Sequence, residues 1–334
     1  MKANMNSTKP NLFIVGAPKC GTSAMTAYLD QHPKVFICDP KEPFFWSSDY
    51  PGLRRRHGMN SLKAYTALFA DATDEHLIVG EGSTNYLRSS EAIPQILDFN
   101  PDARFIAMLR NPIEVVHAFH SEILFSYIED VTDFETAWRL QGARQRGKSI
   151  PRRCEAPQFL QYADVASYWP QIERFFELVP ASQRHVIVFD DFTSDTAHVF
   201  QKTQRFLGLE PIAKDSFERV NAAHGHRSQL IAKLVLDPPP LLRPIVDGVR
   251  QLVRQQQGGW IDKAKHWMRR PQKRTPLTPK FCSELAEFFT EDVQRLSQLL
   301  DRDLTHWVNQ DPQLAESESV ETNPAEMKEL QEAR

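Results

Sequence analysis

The segment Phe13–Met25, FIVGAPKCGTSAM, restricts the possible folds of this chain more than any other stretch. An apolar run leads into a glycine-bounded turn, and a Thr-Ser pair then opens a helical pattern. Strand, loop and helix in this order form a cradle for an anion, because backbone N–H groups and the positive helix end converge on it. A nucleoside-triphosphate loop reads G-x-x-x-x-G-K-[ST], with its lysine directly after the second glycine. Here Thr22 follows Gly21, and the lysine stands earlier, at Lys19. The usual cation for β- and γ-phosphates is therefore missing, and no acidic Mg²⁺ ligand is evident after a following strand. Both features favour an anion smaller than a triphosphate, bound without metal. The backbone from Lys19 through Cys20, Gly21, Thr22 and Ser23 to Ala24 is the expected cradle. The Thr22 and Ser23 hydroxyls add donors, and Gly21 allows close approach. An ordinary strand-to-helix turn would use the same glycine, proline and threonine, so the loop needs support from elsewhere in the chain.

That support begins with alternation. Residues 11–16, 34–38, 76–81, 104–110 and 185–192 read as strands, and 61–70, 90–98, 112–127 and 194–206 as helices between or beside them. Gly208 is suited to cap the last of these. Alternation of this kind predicts an α/β fold, a parallel sheet of the phosphate-loop type flanked by helices. A helical insertion is expected over 133–146 and 157–178, and a helical C-terminal portion after a proline-rich break at 237–244. Within that portion, Phe281, Leu285, Phe288, Phe289, Val293, Leu296 and Leu300 recur at helical spacing over 278–300.

Residues 1–10 are expected to be flexible and 11–310 to form one domain. The segment from Asp311 to Arg334 holds seven acidic and two basic residues, and is expected to be a disordered acidic tail. A net charge of −3 gives no support for nucleic-acid binding. Four scattered cysteines suggest neither a disulfide framework nor a metal site. The polar start has no apolar signal region, and no apolar run is long enough to cross a membrane. A cytoplasmic protein is the expectation.

Several ordered stretches resemble the sulfotransferases that use 3′-phosphoadenosine 5′-phosphosulfate (PAPS). GAPKCGTSAM resembles their 5′-phosphosulfate loop, and MLRNPIEVVHAFHSEI (108–123) their strand-to-helix element for the nucleotide 3′-phosphate. HVIVFDDF with FLGL (185–209) resembles a later strand-helix unit, and LLDRDLTHW (299–307) a closing segment of bacterial members. KEPFFW (41–46) resembles the K-E-x-x-F-F stretch of the branch that sulfates sugars. The resemblance covers nearly the whole chain. It implies PAPS as co-substrate, no metal, and an acceptor bearing a hydroxyl group.

The resemblance also explains the early lysine. Lys19 matches the family's lysine at the sulfuryl group and its bridging oxygen, where a cation favours the transition state as charge gathers on the leaving oxygen. Glu42 matches the branch's general base. The proline and aromatics after it predict a partly apolar pocket; a surface carboxylate beside Lys41 is the plainer alternative. His117 and His120, three apart on one helix, are rival bases that read more simply as structural histidines. Glu81, in GEGSTNYL, could line the acceptor pocket. Arg110 matches the family's 3′-phosphate arginine, and a guanidinium suits bidentate phosphate contact. The family's serine eight residues later is Ala118 here, and Ser121 is the candidate substitute one turn on. Arg227, or the run Lys263, Lys265, Arg269, Arg270, Lys273 and Arg274, could supply the family's later basic loop, although the run also reads as a solvated face. An ATP-using kinase and a non-catalytic nucleotide-binding protein remain the alternative functions. The acceptor and the oligomeric state are not written in the sequence.

Overall fold

A computed structural model describes residues 9–56, 58–212, 214, 216–217, 224–226, 269–271 and 274–309. Most of the expected N-terminal segment, the proline-rich break, Arg227, Lys263, Lys265, Lys273 and the acidic tail lie outside the described residues.

Five parallel strands form the central sheet: β1 (Leu12–Gly16), β2 (Val35–Ile37), β3 (Ile78–Gly82), β4 (Arg104–Leu109) and β5 (Arg184–Val188). Their order is β2-β3-β1-β4-β5. Every residue of β1 and β3 is buried. Continuous burial is the condition of a strand covered by helices on both faces, which explains why LFIVG is unbroken by polar residues. In register, Ile14 stands opposite Gly82 on one side and Ile106 on the other. The connection after β1 leads to strands on one side of it and the connection after β4 to β5 on the other, so the boundary between β1 and β4 is the topological switch point. Crevices at the carboxyl ends of such strands are where open α/β sheets hold ligands.

The helices are α1 (Thr22–Leu29), α2 (Pro51–Arg56), α3 (Leu62–Thr66), α4 (Ala92–Phe99), α5 (Pro112–Phe125), α6 (Phe134–Arg139), α7 (Gln141–Gln145), α8 (Tyr162–Ala166), α9 (Trp169–Leu178), α10 (Phe189–Ser194), α11 (Thr196–Phe206) and α12 (Pro279–Leu299). A second, two-stranded antiparallel sheet pairs β6 (His224–His226) with β7 (Arg269–Pro271). On α12, Phe281, Leu285, Phe289, Val293 and Leu296 are buried, whereas Phe288 is exposed and meets the edge of Trp138. α12 is fixed to the body where Asp292 accepts the N–H groups of Tyr168 and Trp169 at 2.9 and 3.0 Å.

Two elements differ from expectation. The strand expected over 185–192 stops at Val188, and Phe189 to Phe192 belong to α10. The turn into helix aims Asp190 at Trp307 Nε1 and the His306 ring, 2.8 Å from each, and Asp191 at Arg302. The insertion is also more broken than its periodicity suggests: α6 and α7 meet at Leu140, and a 3₁₀ turn with α8 precedes α9. Its centre is ionic. Arg144 grips Glu129 with two nitrogens at 2.6 and 2.7 Å, both side chains fully buried, and Tyr162 donates to the same carboxylate at 2.5 Å.

Candidate active site

The loop between β1 and α1 is held by glycine chemistry and by a ring. Gly21 has φ +87°, and a Cβ there would lie 3.0 Å from Phe189 Cε2. The Phe189 ring in turn carries the Arg110 guanidinium, 4.6 Å from its centroid. Glycine at position 21 therefore lets α10 approach the loop, a packing requirement that the sequence read only as access for a ligand. Lys19 is left-handed as well, with φ 62°. Cys20 is wholly buried; its sulfur faces the Pro18 carbonyl at 3.3 Å and the Tyr168 hydroxyl at 3.6 Å. Burial pushes its thiol up to about 12, so only its backbone is available to an anion. Thr22 is buried and Ser23 half-buried at the start of α1, where the first amides of a helix have no acceptor in the preceding turn. The Ala24 N–H already bonds the Gly21 carbonyl at 3.0 Å.

Two cations converge beside this loop. Lys19 Nζ lies 3.1 Å from Glu122 Oε2, and Arg110 Nε lies 2.7 Å from Glu114 Oε2. Arg110 Nη1 also comes within 3.5 Å of the Lys19 carbonyl. Both glutamates lie on α5, with buried Ala118 between them. The Ser121 hydroxyl donates to the His117 carbonyl at 3.1 Å, so it is engaged within its own helix. Arg274 joins the group. Its basic run reads as a solvated face or as the family's later basic loop; Arg274 itself is half-buried, and among the described residues its buried Nε has no hydrogen-bond partner. Burial first, and then the Arg110 charge, lower the pKa of its guanidinium.

The histidines sit to one side. The His117 ring stacks on Phe134 at 5.7 Å, and its pKa falls to about 4 through burial, aided by the Arg274 charge. His120 is buried with Nε2 2.9 Å from the Val131 carbonyl, the structural role that its sequence context suggested.

Glu42 stands at the carboxyl edge of β3. Its N–H bonds the Gly82 carbonyl at 3.2 Å, and its φ is 64°. Thr84 donates to Oε2 at 3.2 Å and Lys41 to Oε1 at 3.0 Å. The surroundings of the carboxylate are polar, contrary to the apolar pocket expected. The aromatics that follow it turn inward instead: Phe45 stacks on Tyr65 at 4.7 Å, and Phe44 packs with Tyr50 and Leu53. Lys41, which the sequence offered only as a surface neighbour, is the direct partner of Glu42.

Beneath this loop lies Glu81. It is fully buried and accepts hydroxyl bonds from Tyr65 and Tyr86, both at 2.9 Å, and from Ser83 at 2.6 Å. Two of these groups also hold the loop, because Ser83 Oγ accepts the Phe44 N–H at 3.2 Å and the Tyr86 oxygen accepts the Trp46 N–H at 3.3 Å. Burial raises the Glu81 carboxyl to about 7 against the pull of its three donors. Glu81 is thus a brace under the Glu42 loop, not a wall of an open pocket. No cluster of metal-ligating side chains occurs among the described residues. Among them no helix is long and apolar enough to cross a membrane.

The chain is similar to known proteins in sequence and in fold. A crystal structure of a sulfotransferase from Alicyclobacillus acidocaldarius superposes with a TM-score of 0.63 and 26% identity, covering 90% of this chain and 98% of that one. Human carbohydrate sulfotransferase 15 is 25% identical over 253 residues, which covers 61% of this chain and 45% of the relative. Mouse bifunctional heparan sulfate N-deacetylase/N-sulfotransferase 4 is 25% identical over 214 residues, 60% of this chain and 22% of the relative. The chain thus spans less than half the length of these curated relatives. The sulfotransferase domain matches residues 9–224, from before β1 through the first residue of β6, and by that match the chain belongs to the sulfotransferase family.

Proposed function

We propose that the chain transfers a sulfuryl group from PAPS to the hydroxyl of an acceptor. The observation that carries this reading is the approach of Arg110 to the Lys19 backbone, with the Arg274 charge acting on Arg110, beside a strand-to-helix loop that has no lysine after Gly21. Arg274 favours a nucleotide that carries an additional phosphate. A buried guanidinium nitrogen without a partner, next to a second guanidinium, is costly unless an anion satisfies both. The extra phosphate of PAPS is such an anion, with Arg110 and Arg274 as its holders. When bound, PAPS supplies the sulfuryl group.

The remaining chemistry belongs to the chain. Amides at the start of α1 and the Lys19 ammonium hold the anionic end of the nucleotide. Glu42 accepts the acceptor's proton at one carboxylate oxygen, with Lys41 and Thr84 fixing the carboxylate's orientation. Glu81 keeps the loop beneath it in place. One relative named above is a carbohydrate sulfotransferase, and a sugar hydroxyl is the acceptor class that it favours.

Binding tests the reading first. Adenosine 3′,5′-bisphosphate should raise the melting temperature without Mg²⁺, since a ligand of the native state stabilises it by mass action. Equal stabilisation by AMP would show that the second phosphate is not read.

A further inference from the structure

Two of the three cations assigned to the nucleotide are already occupied. Glu122 takes Lys19 and Glu114 takes Arg110, and both carboxylates belong to α5, eight residues or about 12 Å apart along the axis. Their placement differs from that of a structural ion pair. In the Glu129–Arg144 pair neither side chain has any solvent exposure. Here the carboxylates are 52% and 45% exposed, their cations only 27% and 23%. Each glutamate lies on the solvent side of its partner and can rotate into water without uncovering core. Buried Ala118 between them fills the helix face with a methyl group, so position 118 offers no hydroxyl to either cation. Removing a carboxylate that near a cation leaves the site more positive for an incoming anion.

We propose that Glu114 and Glu122 are resident counter-ions of the nucleotide site, which phosphate oxygens must displace from Arg110 and Lys19 and which return when the nucleotide leaves. The proposal rests on the functional reading above and adds a regulation of binding to it. Without nucleotide, Lys19 and Arg110 each keep a counter-charge, and Arg274 alone is left to attract the incoming anion. Nucleotide affinity is set by exchange, weaker than three bare cations would give, and departure of the bisphosphate product is assisted by carboxylates already tethered to the same helix. Glu122 acts through Lys19, so it is a positioning residue rather than a catalytic one.

Titration calorimetry with adenosine 3′,5′-bisphosphate, without an acceptor, tests this on the full chain. Glu122→Gln and Glu114→Gln should each tighten binding about two- to five-fold, the scale of an exposed ion pair. Glu122→Asp, which keeps the charge, should stay close to wild type. Glu135→Gln removes the same unit of charge from a carboxylate that pairs with Arg139, so it should change nothing if the effect is local. A gain in affinity is a readout that damage to packing does not produce. Binding left unchanged or weakened by Glu122→Gln sinks this inference alone, and so does an equal gain in Glu135→Gln. Absence of binding by the wild type sinks the functional reading and this inference with it.

Discussion

Arg110 Nη1 lies 3.5 Å from the backbone carbonyl of Lys19, although the two residues are 91 positions apart in the chain. The contact bridges the loop after β1 and the turn after β4, the two chain segments that flank the switch point of the sheet. It sets the Arg110 guanidinium against the backbone of the loop that carries Lys19, within reach of the Arg274 charge.

Arg274 is therefore expected to matter as much as Arg110 to nucleotide affinity. Alanine at either position should weaken adenosine 3′,5′-bisphosphate binding by about 1.5–3 kcal/mol, the value of a hydrogen bond to a charged group. AMP binding should change far less. Calorimetry with both ligands checks the pair, and an equal loss for the two ligands would place the second phosphate elsewhere.

Glu42→Gln should lower turnover by about 10²–10⁴-fold, the usual contribution of a general base. The amide keeps the shape and an acceptor oxygen for Thr84, so bisphosphate affinity should remain near wild type. The assay requires a panel of hydroxyl acceptors, beginning with sugars. Retention of more than about a tenth of the turnover would move the base elsewhere; His117, neutral at physiological pH, would be examined first.

Glu81 gives a stability prediction with a definite sign. Burial raises its carboxyl from the ordinary 4.5 to about 7, so between these values the folded chain holds a proton that the unfolded chain has lost. Its contribution is complete below about 4.5 and is lost as pH rises through about 7. Glu81→Gln does not titrate, so the wild type's advantage over it should shrink from pH 5 to pH 8. Urea midpoints at the two pH values measure the difference, and a constant gap would contradict the assignment.

Breaking the buried pair in the insertion should cost more than any surface change. Glu129→Gln leaves Arg144 without its counter-charge and should destabilise the fold by about 3–5 kcal/mol. The Glu129 carboxylate is held below its usual range because bonds from Arg144 and Tyr162 outweigh burial. Denaturation of Glu129→Gln alongside Glu135→Gln, a surface carboxylate, gives the comparison.

Much of this could be read from the chain because local periodicity carries it. β1, α1, β4 and α5 follow from apolar runs and from proline and asparagine at the helix start, where Asn111 accepts the Ile113 N–H at 2.9 Å. What escaped depends on distant partners. α10 interrupts a strand-like sequence because Asp190 and Asp191 answer to side chains 111 to 117 residues away. Glu81 could be noticed but not understood, since its burial is made by Tyr65 and Tyr86 on either side of it in the chain. Arg274 looked like one charge in a basic run, and only the packing beside α5 separates it from the others. The aromatics after Glu42 suggested a pocket around it because sequence order does not show that Phe45 and Trp46 turn inward.

The left-handed backbone at Lys19 and Glu42 has a consequence for anyone evolving this protein in the laboratory. φ values of 62° and 64° are ones that glycine adopts freely and that side-chain-bearing residues hold at a cost of about 1–3 kcal/mol. A library screened for heat resistance alone should therefore enrich glycine at both positions, hardening the scaffold while erasing the two residues assigned to the chemistry. Glycine at Ser149 and Asp301, whose φ values are 52° and 49°, should bring the same durability with activity kept, whereas at Lys19 and Glu42 activity should fall as melting temperature climbs, selection for durability and for catalysis pulling against each other at single backbone angles.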